Sequence, residues 1–456
     1  MPKSRTDRFV RILQFCLLLF FWSVCVSVYS IKAERQDAHE RGFAARSVID
    51  LRDAARTLSN FVKVAISPTD HQEITLEDTE GLFPIGKLQE LSNVPDHLYL
   101  LFYRFEGGDA GTVYLKNVKN GEVERQWDIP LREVFQDLQA LNKSFSERYA
   151  TGELAVELDH QVVNEINAIQ INSPILVGDG DLIFQCGGLG HTYRLNKNSK
   201  IVWKSKEVTH HSIEADADGN IWACAIDTEN KIAHAGKFRE DAVLCLDANG
   251  KTKKLYSISR ILQDNGLFNS LANSTPTYKQ SYGSDPYHLN DVLPVEADGP
   301  FWKKGDVFLC LRHKSLVLLF RPSDESVVWY KQGPWLTQHD VGILSDDKIS
   351  VFNNNFGLLS NPQEGSNIAI YNFADDSVEF VADGMFFSKT EGRQARTENG
   401  VLLVEETNRG IYLLIDANDE IIARFYLPYY SNASNAMNPT WSRFYLKRGE
   451  EFEIQQ

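Results

Sequence analysis

Cysteine is scarce in this chain, with six in 456 residues. Cys16 and Cys25 fall inside an apolar run, leaving Cys186, Cys224, Cys245 and Cys310 in strand-like settings. No Cys-x-x-Cys and no Cys/His pair at zinc spacing occurs, so no metal cage and no metal site are expected. Buried thiols are the expected state of the four, with a Cys224–Cys245 bridge across one repeat as the alternative. Positive charge is also short. The formal net charge of -15 excludes nucleic acid as the main partner, because phosphate binding needs a basic footprint. No Gly-x-x-x-x-Gly-Lys-Ser/Thr phrase is present, which removes the P-loop class of nucleotide sites.

The N-terminal end carries the apolar run. Lys3, Arg5, Arg8 and Arg11 form a basic tail (1–11) before residues 12–31, which are dominated by Leu, Phe, Val and Cys. Twenty residues at helical rise reach ~30 Å, enough to cross a bilayer. The basic flank predicts an inside N-terminus. A single-pass transmembrane signal anchor with an extracytoplasmic (periplasmic or extracellular) C-terminal domain is expected, a cleaved signal peptide being the alternative. Residues 32–96 read as a short helical stalk and connection, with Phe43, Ile49, Leu51, Leu58 and Phe61 at near-helical spacing and a polar stretch at 67–80.

From 97 to 456 the texture is β. Runs of aromatic and β-branched residues alternate with Asn-Gly, Asp-Gly, Gly-Asp and Asp-Asp turns. One phrase recurs: Thr112-Val113-Tyr114-Leu115 with Trp127, Thr192-Tyr193-Arg194-Leu195 with Trp203, and Leu316 to Phe320 with Trp329. Weaker copies begin at Ala242, Ile368 and Ile411. Five of these six hairpins are preceded by an inner strand pair with its own turn. Four strands per repeat, at a spacing of roughly 40–50 residues, predict an all-β fold: a six-bladed β-propeller. The segment from Asn432 onward is expected to supply a closing strand or to cover one end.

Three histidine phrases accompany the inner strands: His210-His211-Ser212-Ile213, Asp285-Pro286-Tyr287-His288-Leu289-Asn290, and Gln338-His339-Asp340. In a propeller the innermost strands line the axis, so these imidazoles are expected to converge on one channel. Arg312, flanked by apolar residues, needs an anionic partner there. The sixth repeat offers Glu391-Gly392-Arg393-Gln394-Ala395-Arg396 at the corresponding place. Imidazoles serve as nucleophile or acid/base, and arginine and amide donors hold charged oxygens, which suits a sulfuryl or phosphoryl group. Structural turn histidines and a three-histidine metal site are the other readings.

At these residues the sequence resembles the arylsulfate sulfotransferase family, phosphoadenosine-independent enzymes built on a six-bladed propeller. The phrases that carry the likeness are His-His-Ser-Ile with Asp-Gly-Asn, Asp-x-x-His-x-Asn, a strand ending Leu-Arg, and Gln-His-Asp followed by Ile-Ser-Val-Phe-Asn-Asn, over about 166–427. The resemblance implies a transferase moving a sulfuryl group from an aryl (phenolic) sulfate ester to a phenolic or other hydroxyl acceptor. It implies a ping-pong route through a sulfohistidine, with no cofactor. His339 becomes the nucleophile; His211 and His288 support the transferring group, with His210 as alternative to His211. Arg312 and Asn290 lie on the sulfuryl oxygens, and Gln394 and Arg396 are assigned to substrate binding. Arg312 is followed by His313, where the family pattern has a small polar residue or Asn. A non-catalytic propeller binding a glycan or protein partner at the cell surface is the alternative function.

Overall fold

The computed structural model describes residues 73–455, apart from 76–80, 155, 230–237, 269–284, 358–363, 430–431 and 438. The basic tail, the anchor at 12–31 and the stalk helix lie outside the described residues. Among the described residues no helix is long and apolar enough to cross a membrane.

Six antiparallel sheets of four or five strands form the blades of the propeller. In five blades the innermost strand is Ile171–Val177, Thr209–Ala215, Leu289–Pro294, His339–Ile343 or Arg393–Arg396; in the remaining blade Arg443–Arg448 takes that place and carries the short strand Glu451–Ile454 on its other side. That blade is the first. Arg443–Arg448 pairs with Leu98–Gly107 and closes the ring, as expected of a segment so far along the chain. Neighbouring inner strands touch around the axis.

Inner and outer strands obey different rules. An outer strand such as Ser326–Gln332 alternates between half-buried and exposed residues, the period-2 pattern of a strand with one wet face. The strands between them are buried throughout, and their side chains fill the gaps between blades. Trp222, Val243, Leu309 and Leu318 share one cluster, and Leu293, Phe308, Val351 and Ala369 another. Each such side chain contributes about 1.5–3 kcal/mol through burial. Cys186, Cys224, Cys245 and Cys310 are free and buried. Cys224 and Cys245 face Val243 and Trp222 across the sheet rather than each other.

Two features depart from the expected architecture. Residues 81–96 do not stand apart: Leu82–Pro84 adds a parallel strand outside Ile421–Tyr426 of the sixth blade, and Ile85, Leu88 and Val94 are buried. Between the first and second blades runs a helix, Leu131–Ala150. Its Leu131, Val134, Leu138 and Phe145 recur at three-, four- and seven-residue steps and pack with Trp127, Leu182 and Phe184.

The inner strands share a device that places the site. Each strand from the second to the fifth blade breaks register once, at 172/175, 210/213, 289/291 and 339/341. A left-handed residue accompanies each break: Ser173 (φ 48°), His211 (57°), His288 (54°) and Asp340 (40°). A bulge of this kind re-aims side chains, and such backbone in non-glycine residues clusters at functional sites. Trp441 (φ 59°) repeats the left-handed turn just before the closing strand.

An innermost strand also exposes a free backbone edge, and buried N–H groups need acceptors. Side chains of the preceding blade supply them. Val292 N donates to Ser212 Oγ (3.0 Å), Val341 N to Asp291 Oδ2 (2.9 Å), Gln394 N to Asp340 Oδ2 (2.6 Å) and Ser442 N to Glu405 Oε2 (2.7 Å). Polar residues in these strands therefore stitch blade to blade.

Candidate active site

The left-handed turns bring His211 and His288 together, with ring centroids 4.8 Å apart. His339 joins them across Trp441, whose indole lies 5.5 Å from the His211 ring and 5.7 Å from the His339 ring. The three imidazoles expected to converge do so around one cup, His339 buried and His211 and His288 half-buried. Burial, the strongest influence on each, lowers the pKa of His211, His288 and His339. At His339 the Arg312 guanidinium adds to it. All three rings are thus held neutral at neutral pH.

Hydrogen bonds fix which nitrogen carries the proton. Asn354 Nδ2 donates to the carbonyls of Ser388 (2.7 Å) and Glu391 (2.9 Å), so its Oδ1 faces His339 Nδ1 as an acceptor at 2.6 Å. The proton sits on His339 Nδ1, and Nε2 keeps its lone pair. His288 Nδ1 likewise donates to Asp285 Oδ2 at 2.6 Å. His210 Nε2 must donate to the Ala225 carbonyl (3.2 Å), which leaves its Nδ1 to accept from His211 Nδ1 at 2.7 Å. His210 is therefore the support behind His211, not its substitute. The same tautomer recurs in all three rings of the cup: Nδ1–H tied back, Nε2 bare.

A second row of residues holds the first. Arg239 bonds Asp241 (3.0 Å) and Asp285 (3.0 Å). Burial opposes ionisation of Asp285, but Arg239, His288 and His313 overcome it and hold the carboxyl well below the usual range. Arg312 opens the short turn that follows the strand Val307–Leu311, one position past its end. Its Nη1 donates to His313 Nε2 (3.0 Å), while His313 Nδ1 donates to the Asp285 carbonyl (2.7 Å). Burial and the neighbouring His288 push His313 down to about 3. His313, the departure from the family pattern, thus serves as a neutral acceptor that aims the guanidinium.

The other expected residues divide. Asn290 is fully buried, and its Nδ2 donates to the Gln338 carbonyl beside His339 (2.9 Å), bracing the strand that carries His339. Gln394 donates from Nε2 to Ser350 Oγ (2.7 Å), and its Oε1 has no partner among the described residues. Arg396 is not among the groups drawn to the histidines; Asp419 and Glu379 are its charged neighbours, at the far end of its strand. Arg393 instead reaches the axis, pairing with Asp340 (2.9 Å) and lying over the Trp441 ring (5.8 Å). Asn354, His313, Asp285 and Trp441 escaped the motif reading. Asn354 and Asp285 left usable signals, in the Asn-Asn phrase after the Gln-His-Asp strand and at the head of the Asp-x-x-His-x-Asn phrase.

Asp285, His288 and His313 bring potential metal-ligand atoms within 4.8 Å of one another, among the described residues. Two guanidinium groups already use this set, Arg239 on Asp285 and Arg312 on His313 Nε2. Their charge opposes a divalent ion there. The donor set fits arginine positioning better than metal binding.

The sequence profile of the arylsulfotransferase (ASST) family matches residues 165–426, which span five of the six inner strands, His211 to Arg396 included. The chain belongs to the arylsulfotransferase family. Membership supports a transferase, with sulfotransferase activity in general. No curated protein gives a significant match. Among solved structures, a Bacteroides caccae protein of unknown function matches at 10% identity and TM-score 0.42, covering 76% of this chain and 97% of that one. Virginiamycin B lyase from Staphylococcus aureus matches at 11% and 0.34, covering 62% and 83%. A putative 6-phosphogluconolactonase from Bacteroides fragilis matches at 10% and 0.38, covering 77% and 99%. At these scores the three likenesses carry no argument. The arylsulfotransferase assignment rests on the family profile.

Proposed function

We propose that this arylsulfotransferase moves a sulfuryl group from an aryl sulfate ester to a phenolic or other hydroxyl acceptor through a sulfohistidine at His339. One observation carries the reading: Asn354 holds the proton on His339 Nδ1, leaving the Nε2 lone pair bare in a cup of neutral imidazoles beside Arg312. A neutral, oriented imidazole is a competent nucleophile without a separate base. In the first half-reaction the Nε2 lone pair forms a bond to sulfur. The bond from sulfur to the aryl oxygen breaks, its electron pair leaving with that oxygen. The sulfonated ring carries positive charge, which Asn354 Oδ1 stabilises at Nδ1–H. Arg312 is the donor assigned to the sulfuryl oxygens, where a fixed positive charge in a partly dry site gains strength, while His211 and His288 wall the group. In the second half-reaction a hydroxyl oxygen attacks sulfur as its proton passes to a base in the cup, and the N–S electron pair returns to Nε2.

The basic flank and apolar run at 12–31 support an extracytoplasmic propeller held by a membrane anchor. The test of function is incubation of the full chain with 4-nitrophenyl sulfate and phenol, alone and as His339→Asn. Transfer by the wild type, and a tryptic peptide containing His339 heavier by one SO3 group, are the expected results. Turnover by the variant would sink the nucleophile assignment. Failure across a broad panel of aryl donors would favour a binding module.

A further inference from the structure

The cup lacks an obvious acid. All three imidazoles hold their single proton on Nδ1, bonded to Asp285, His210 and Asn354, and present a bare Nε2. None has a proton to give the departing aryl oxygen, and a phenolate with the basicity of ordinary phenol leaves poorly without one.

Most acids around the axis are already engaged. Glu214 pairs with Arg443 (2.6 Å) and Asp241 with Arg239 (3.0 Å). Asp285 binds His288 and Arg239, Asp291 accepts Val341 N, and Asp340 binds Arg393. Glu405 accepts from the backbone of Trp441 and Ser442, and Glu406 from that of Phe387. Glu391 differs from all of them. Its carboxyl has no hydrogen-bond or ion-pair partner among the described residues, and it is only half-buried.

Its backbone is nevertheless pinned to the nucleophile. The Glu391 carbonyl accepts from Asn354 Nδ2 (2.9 Å), the same amide whose Oδ1 grips His339 at 2.6 Å. The next residue, Gly392 (φ 155°), lies flat against the Phe352 ring, where a Cβ would come within 2.2 Å of Cζ. A side chain at position 392 would collide with that ring, so the close approach requires glycine there. Two residues on, Arg393 lies over Trp441. The charged groups that face the Glu391 carboxyl are Glu405 and Arg312, from the strand beside it and from the fourth blade.

We propose that Glu391 is the general acid and base of the transfer, giving its proton to the departing aryl oxygen and taking one from the incoming hydroxyl. This rests on the sulfohistidine reading above. As His339 Nε2 bonds to sulfur and the S–O bond breaks, the Glu391 O–H proton passes to the aryl oxygen. A neutral phenol departs and Glu391 is left as carboxylate. In the return step the carboxylate takes the acceptor's hydroxyl proton as that oxygen bonds to sulfur and the N–S bond opens, which restores the acid. Burial, with Glu405 adding to it and Arg312 opposing, pushes the carboxyl up to about 7, so both forms are available near neutrality.

The experiment compares kcat/KM of the full chain and Glu391→Gln on two donors, phenyl sulfate and 4-nitrophenyl sulfate, across pH. In a ping-pong enzyme this constant reports the first half-reaction alone. The poor leaving group needs the proton and the good one does not. Expected is a loss of about 100-fold on phenyl sulfate, with a loss at least about tenfold smaller on 4-nitrophenyl sulfate. The wild-type rate on phenyl sulfate should also fall as pH rises through about 7, and the variant should lose that limb. Glu391→Asp, which keeps a carboxyl, should restore part of the phenyl sulfate rate. Equal losses on both donors, or none on phenyl sulfate, would overturn the acid role while leaving the nucleophile intact. No turnover of any donor by the wild type would overturn both.

Discussion

The outermost strands, such as Ser326–Gln332, keep Val328 38% and Tyr330 46% exposed, whereas the innermost, such as Thr209–Ala215, bury His210, Ser212 and Glu214. Both come from the same repeating unit, and the inversion follows from distance to the axis. An outer strand has one sheet neighbour and water beyond, so alternation suffices. An inner strand has one sheet neighbour and five converging strands beyond, with no room for bulk solvent. Its free backbone edge must be met by side chains, and its register must break to let them turn inward. The polar residues that satisfy this demand are chain neighbours of those that line the cup: Ser212 follows His211 and Asp340 follows His339.

If that contrast is right, inner and outer substitutions should differ by orders of magnitude. The largest effect is expected from His339→Asn, a loss of transfer of roughly 10⁴-fold or more, read as kcat/KM on 4-nitrophenyl sulfate. Retained activity would break the comparison at its centre. Asn354→Ala should cost about 100-fold by freeing the imidazole to take the wrong tautomer. That loss is larger than its destabilisation of the folded protein explains, since the variant should remain fully folded at the assay temperature.

The pH profile sharpens the same point. His339 is held below its ordinary value of 6.5, so lowering pH through that value does not protonate it. The 4-nitrophenyl sulfate rate of the wild type should run level there. Asn354→Asp places a carboxylate at Nδ1, raises the imidazole's pKa and should introduce a fall in rate on the acid side. An acid limb centred at 6.5 in the wild type would refute the neutral cup.

Smaller effects concern stitching and surface. Asp291→Ala leaves Val341 N buried without its acceptor and should destabilise by about 1–3 kcal/mol, measured by denaturant titration. Val202→Thr, on an outer strand at 52% exposure, should shift stability by no more than about 0.5 kcal/mol.

The same contrast explains what the sequence disclosed. The outer hairpins were legible because turn residues and aromatic pairs repeat, and they led to six blades. His211, His288, His339 and Arg312 were legible because each stands in a short phrase. The helix Leu131–Ala150 was missed because its apolar residues are spread over a polar 20-residue stretch between two β repeats. Trp441 was hidden by distance along the chain, and His313 looked like a departure because its role exists only once Asp285 and Arg312 flank it. Arg396 was preferred to Arg393 because both lie in one four-residue strand; only the fold reveals which end meets the axis.

Trp441 stands between His211 and His339, two residues before the strand that joins Leu98–Gly107. The wall of the cup and the clasp of the ring are thus one piece of chain. No subset of blades, however well folded, assembles this pocket, and peeling away that single strand would dismantle the cup while the other five blades stayed intact.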